Sequence, residues 1–174
     1  MTFKQVLFST FYFFTLIYFA VVAVATLEVS AASTATVTAT VTAQSISVSV
    51  ADGAVAYGTI ALSSTEDTTT GGVDNSQIAT NNGNVAADLN ITGSDSSAWT
   101  LAGTVGANQY KHAFCKTTCD SSPTWTALTT SYQALSSSVS ASGTQSFDLQ
   151  LNTPSSTASY AEQSVDVTVQ ATAP

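Results

Sequence analysis

The chain has 174 residues and a net charge of −8, and its only basic side chains are Lys4, Lys111 and Lys116, with no arginine. Neutralising phosphates takes clustered Lys or Arg, so nucleic-acid binding is excluded. Charge is sparse, and the polarity comes from the hydroxyls and amides of Ser, Thr and Asn, a composition of secreted β proteins and surface-layer material rather than of a cytosolic enzyme.

Residues 1–31 read as a signal peptide or a membrane anchor, an N-terminal hydrophobic helix in either case. Lys4 precedes an almost wholly apolar run over residues 6–24, and small residues follow it. Val29-Ser30-Ala31 before Ala32 fits a small-x-small cleavage signal, and so does Ala23-Val24-Ala25 before Thr26. The run is also long enough to span a bilayer, through residues 6–27, if it is kept. Lys4 before it and Glu28 after it place the N-terminus inside. Both readings put residues 32–174 outside the cytoplasm, secreted or at the cell surface.

Residues 32–44 form a Thr/Ala/Val-rich stretch. From Ala35 to Ala43, small or apolar residues take odd positions and Thr the even ones; after Gln44-Ser45, Ile46, Val48 and Val50 take even positions. A one-residue slip of this kind turns every side chain to the other face, so a bulge or a strand break is expected at Gln44-Ser45. The first half is a linker, an edge strand or a strand lent to a neighbour, with Val37 and Val41 as its apolar positions. Residues 45–174 read as one β domain. Asp52-Gly53 predicts a hairpin between residues 46–50 and 55–60. Residues 63–72 read as a long polar loop, and a short strand is expected around residues 77–80.

The clearest strand signal follows. Val85, Ala87, Leu89 and Ile91 alternate with Ala86, Asp88, Asn90 and Thr92, a period of two with one dry face. Asn81-Asn82-Gly83 supplies turn residues tolerant of positive φ before it. Trp99 and Leu101 open the next strand, with Trp99 expected as a large core anchor. Tyr110, His112 and Phe114 alternate with Lys111, Ala113 and Cys115; a strand starts near Trp125 or Thr126; Tyr132 and Leu135 lie in a Ser-rich segment. Phe147, Leu149 and Leu151 alternate with Asp148 and Gln150, and Val165, Val167 and Val169 close the domain. Eight or nine strands at this spacing predict an all-β, antiparallel sandwich, jelly-roll or immunoglobulin-like.

Cys115 and Cys119 are the only cysteines. In an exported chain they predict one disulfide closing a tight loop, contributing about 2 kcal/mol at most. A zinc site would need more ligands than His112, the sole histidine, and no nucleophile pattern accompanies that histidine. Residues 66–75, with Glu66, Asp67 and Asp74, could offer oxygen ligands to calcium, but the Asp-x-Asp-x-Asp spacing is missing and a solvated loop is the simpler account. Trp125 and Tyr132 are candidate ligand-facing aromatics for a sugar; as core residues they would need no ligand. Asn90-Ile91-Thr92 is a glycosylation acceptor pattern. No acid, base and nucleophile set can be assembled, so no catalytic residue, cofactor or metal is expected and the chain does not read as an enzyme.

The hydrophobic export segment, the Thr/Ala/Val-rich first strand, Gly83-Asn84-Val85 with Leu89, and the closing strand over residues 164–171 together resemble secreted β-sandwich fibre proteins of the TasA and camelysin kind. The resemblance covers much of residues 33–174, in outline only. It implies an extracellular matrix filament whose mature N-terminus enters the next subunit as a strand. The chain has no His-Glu-x-x-His, so the peptidase activity attached to camelysin-like proteins is not carried over. The expected partners are further copies of the chain, and other surface proteins or glycans. An adhesive or carbohydrate-binding surface module is the alternative function.

Overall fold

The computed structural model describes residues 34–174; the expected N-terminal hydrophobic helix and both expected cleavage signals lie outside the described residues. The chain divides into two compact units, Met1–Val41 and Thr42–Pro174. Of the first, residues 34–41 are described; they carry no strand or turn and are exposed. Among the described residues there is no helix long and apolar enough to cross a membrane.

The second unit is all-β. Its ten strands are β1 (Val48–Ala51), β2 (Thr65–Asp67), β3 (Gln77–Asn81), β4 (Ala87–Gly93), β5 (Thr100–Leu101), β6 (Gln109–Cys115), β7 (Thr126–Ala127), β8 (Gln133–Val139), β9 (Thr144–Asn152) and β10 (Val167–Thr172). They form a seven-stranded sheet ordered β1-β3-β9-β6-β5, with β2 on β9 and β7 on β6, and a three-stranded sheet ordered β10-β4-β8. The strands number ten rather than eight or nine, and one pairing departs from the antiparallel expectation, since β5 runs parallel to β6.

The alternation that marks β4 in the sequence becomes its packing. Ala87, Leu89, Ile91 and Gly93 are buried, while Asp88, Asn90 and Thr92 are half-buried. Leu89 and Ile91 join Leu135 and Val139 of β8 against Ala79 of β3, Phe114 of β6, Phe147 and Leu149 of β9, and Leu128. Both sheets thus feed one core. Burying side chains of this size is worth roughly 1.5–3 kcal/mol each. The Ser-rich stretch around Leu135 hides its strand because β8 is bulged. Ala87 faces Val139 and Leu89 faces Ser136, and Asn90 then faces Ala134, so β8 spends an extra residue twice. Ser138 takes a φ of 50° in the first of these bulges.

Asp52 and Gly53 adopt φ values of 68° and 67°, the left-handed pair that a tight turn requires. The predicted hairpin nevertheless does not form. β1 pairs with β3, and Val55 and Tyr57 turn inward against the core instead of joining a ladder. Residues 63–72 are not a plain solvated loop either. β2 and β3 lie along the same flank of β9, Asp67 opposite Gln150 and Gln77 opposite Phe147, as one strand interrupted by an excursion. Both ends of that excursion are fastened to a single buried atom: Asp148 Oδ1 accepts from Thr68 Oγ1 at 2.8 Å and from Ser76 Oγ at 2.6 Å.

The chain bends at residues 83–85 between β3 and β4, as the motif predicts, but none of Asn81, Asn82 and Gly83 has a positive φ, and Asn81 is fully buried, which gives it a further role. The Asn81 side-chain amide donates to the carbonyls of Val85 (2.8 Å), Val139 (2.9 Å) and Ser140 (3.2 Å), and its oxygen accepts from the Gly83 N–H at 2.9 Å. It ties the β3–β4 crossing between the sheets to the β8–β9 crossing. Asn81→Ala strands these buried groups and is expected to cost about 3 kcal/mol. Chemical denaturation of the two proteins checks this; a loss below about 1 kcal/mol would show that the crossings hold without it.

Candidate functional site

Three strands cannot cover seven. β10 begins at Val167, opposite Gly93, so the inner face of the larger sheet beyond that point has no strand over it. Its cover is residues 162–166, held by side chains in place of a ladder. Gln163 Oε1 accepts from Ser96 Oγ (2.8 Å), Ser97 Oγ (3.1 Å) and the Ala98 N–H (3.1 Å), and the Asp166 N–H donates to Ser94 Oγ at 2.9 Å. Beneath lies a cavity of about 360 Å³.

One wall of the cavity is aromatic. Trp99, Tyr110, His112 and Tyr57 follow one another with ring centroids 6.3, 6.3 and 5.9 Å apart. Tyr110 and His112 come from one face of β6, Trp99 from just before β5, and Tyr57 from the inward-turned segment after β1. The polar ends of two rings are engaged away from the ring wall: Trp99 Nε1 donates to Thr157 Oγ1 at 2.9 Å, and the Tyr110 hydroxyl donates to the Ser94 carbonyl. Val50, Leu149 and Leu151 add apolar surface, and the exposed residues Glu162 and Asp166 belong to the segment that lines it.

Charge in and around this cavity is negative. Burial pushes the Tyr57 phenol up, and Asp67, then Asp148, then Glu66 push it further. Burial and then Asp95 do the same to Tyr110. Both phenols therefore stay protonated as donors. No lysine is among the lining residues.

His112 is 3% exposed, and burial holds its imidazole down at about 4, neutral at physiological pH. Its Nε2 lies 3.1 Å from the Tyr57 hydroxyl. The direction of this bond follows the tautomer: the phenol donates to Nε2 when Nδ1 carries the ring proton and accepts from Nε2–H when it does not. Nδ1 is buried with no protein group in reach. An unpartnered buried polar atom of this kind costs about 1–3 kcal/mol.

The other residues singled out in the sequence sit elsewhere. Trp99, expected in the core, is half-buried in the cavity wall, and the core is filled by Leu, Ile and Phe. Trp125 is half-buried before β7 and Tyr132 is 47% exposed before β8; neither lines the cavity. The sulfurs of Cys115 and Cys119 stand at disulfide distance at the end of β6, their Cα atoms 5.8 Å apart. Glu66 and Asp67 lie in β2, and Asp67 Oδ1 accepts from the Thr69 N–H and hydroxyl; among the described residues no group of three His, Cys, Asp or Glu side chains could hold a metal. Val37 and Val41 are 89% and 96% exposed. The cavity itself had one trace in the sequence, the Tyr110-x-His112 pair on the dry face of a strand. Gln163, which positions its cover, had none.

The buried imidazole makes stability pH-dependent. Between the unfolded value near 6.5 and the folded value of about 4, the unfolded chain takes up a proton that the native chain refuses. The stabilisation is whole above pH 6.5 and drains away as pH falls to about 4, roughly 3 kcal/mol in all. Denaturation midpoints of wild type and His112→Gln at neutral and acid pH measure it, and the variant is expected to lose less on acidification. Equal acid losses would dismiss the assignment.

No family model, curated protein or solved structure matches this chain.

Proposed function

We propose that the chain is an exported structural protein of the cell surface or extracellular matrix, and that it assembles by β-strand complementation. Residues 35–43 of one copy would add as a strand to an open sheet edge of the next, in the manner of the TasA and camelysin kind that the sequence resembles. The two sheets would be the layers of an immunoglobulin-like or jelly-roll sandwich, and residues 1–31 the export segment. The observation that carries this reading is the state of the donor: residues 34–43 have no strand partner among the described residues, and the Val37 and Val41 side chains are exposed.

The point of departure is built. Asn84 Oδ1 accepts from the Ser45 N–H at 2.8 Å, and Asn84 Nδ2 donates to the Ala43 carbonyl at 2.8 Å. Residues 43–45 are thus clasped by one side chain where the phase of the sequence slips at Gln44-Ser45. The free edges differ in quality as acceptors. β8 is bulged, β5 and β7 have two residues each, and β1 ends in the Asp52-Gly53 turn. β10 is six residues long, regular in its pairing to β4 and free of charged side chains, with none of the usual defences of an edge. β10 is the assigned acceptor, with main-chain hydrogen bonds giving affinity and Val37 and Val41 seated in apolar slots. A head-to-tail contact of this sort does not close, so it grows a filament. The paired cysteines agree with an oxidising compartment.

Negative-stain electron microscopy beside size-exclusion chromatography tests the reading. The exported protein is expected to form uniform filaments. Deleting residues 34–43 should leave monomer, and Val37→Asp with Val41→Asp should weaken assembly by about a hundredfold, the loss of two buried valines. Fibres that persist after the deletion, or wild type that stays monomeric at high concentration, would remove the proposal.

A further inference from the structure

We infer that Asn82 is a latent modification site: the fold makes it the most readily deamidated asparagine of the chain, and the same fold holds it out of the reacting geometry. Neither filament assembly nor the cavity enters into this.

The reactivity starts from Gly83. A Cβ at this position would stand 2.4 Å from the Ser45 carbonyl oxygen and 3.2 Å from the Ile46 Cα, so only glycine fits where the chain leaves β3. Asn82-Gly83 is the only Asn-Gly pair in the sequence. Deamidation begins when the nitrogen of the following residue attacks the asparagine side chain, and glycine has no side chain to obstruct that approach. The Gly83 nitrogen bonds to Asn82 Cγ, its proton leaves with the side-chain nitrogen as ammonia, and a succinimide ring closes. Water then opens the ring at one carbonyl or the other, giving aspartate or isoaspartate. Asn82 is exposed, so water reaches it.

Hydrogen bonds hold the reacting atoms apart. The attacking group, the Gly83 N–H, is buried and donates to Asn81 Oδ1 at 2.9 Å. Asn82 Nδ2 donates to Ser49 Oγ at 2.8 Å. Ser49 lies opposite Thr80, so the Asn82 side chain leans back along β3 and away from the Gly83 nitrogen. The backbone on either side is paired, with the N–H groups of Asn82 and Asn84 donating to the carbonyls of Ser47 (2.9 Å) and Ser45 (3.1 Å). Closing the ring needs a backbone rotation at Asn82 that this pairing resists. Conversion therefore runs through a local opening, at a rate set by the open fraction. That fraction is small, because several bonds must be given up together.

Conversion is permanent. Isoaspartate lengthens the main chain by the side-chain methylene, so Gly83 and Asn84 cannot return to their places beside residues 45 and 46. The Asn81–Gly83 bond is lost with them, and so is the Asn84 clasp on Ala43 and Ser45. A passing opening at the root of the N-terminal segment is thereby written into the covalent structure.

Peptide mapping by mass spectrometry, with isoaspartate located at residue 82, reads the reaction. The exported protein is held folded in mildly alkaline buffer, and a second sample is unfolded in guanidinium chloride at the same pH. In the unfolded chain Asn82 is expected to convert before any other asparagine. In the folded protein it should convert at least about a hundredfold more slowly. Ser49→Ala and Asn84→Ala change exposed side chains and no reacting atom, and each should speed conversion of the folded protein by about threefold or more. Thermal denaturation alongside shows that both variants remain folded; if one does not, the other carries the comparison. Another asparagine converting first in the unfolded chain would overturn the inference. So would a folded-to-unfolded ratio short of the hundredfold, or folded variants that convert no faster than wild type.

Discussion

The two layers of this fold are joined through Asn81. Its fully buried amide gathers the carbonyls of Val85, Val139 and Ser140 and the N–H of Gly83, so two separate passages of the chain from sheet to sheet share one side chain. A second junction closes the other end of β4, where the Gly93 N–H and the Thr92 hydroxyl both donate to the Thr129 carbonyl, at 3.0 and 2.9 Å. Between these ties, Leu89 and Ile91 can face the core only one way. The hydrophobic effect supplies the attraction between the layers, but it is non-directional; the amide and the hydroxyl set the register in which that attraction is collected.

The mismatch between the layers produces the rest. Seven strands present more inner face than three can cover, and the surplus lies over Tyr110, His112 and Leu151. The chain covers it with irregular backbone, residues 54–57 on one side and 162–166 on the other. Irregular backbone must find hydrogen-bond partners outside a ladder, which explains why Gln163 and the serines at 94, 96 and 97 cluster there. A closed core would have no room for a ligand. A core roofed by side-chain bonds leaves a cavity lined by aromatic residues.

Legibility in the sequence followed the physics of each element. β4, β6 and β9 were plain because one of their faces is buried along most of its length and the alternation reports it. β8 was obscure because two bulges break the period, leaving only Leu135 and Val139 as its core residues. The Asp52-Gly53 signal described its turn correctly yet not its partner, since a turn sets local dihedrals while pairing is decided by where Val55 and Tyr57 can be buried. The turn at Asn81-Asn82-Gly83 was legible, but the second role of Asn81 was not, because a composition rule cannot distinguish an amide facing water from one facing three carbonyls. The cavity was legible only as Tyr110 and His112 sharing a strand face. Its remaining parts come from segments as distant as residues 57, 99 and 162, brought together by a topology that no local pattern encodes.

The excursion between β2 and β3 has a consequence for how such a surface can diversify. Its base is closed by backbone bonds, Val73 N–H to the Asp67 carbonyl and Asn75 N–H to the Thr68 carbonyl, above the Asp148 carboxylate that holds Thr68 and Ser76. The strand it interrupts resumes in step on the far side. Lengthening the exposed tip around Thr70 and Gly71 would therefore alter neither register nor core, and loop-closure entropy charges only about 0.6 kcal/mol for each doubling of length. Apart from the bond of the Thr70 N–H to Asp120 Oδ1 at 2.8 Å, the fold carries a port at which length can change, or foreign peptides be displayed, while the layers beneath stay as they are.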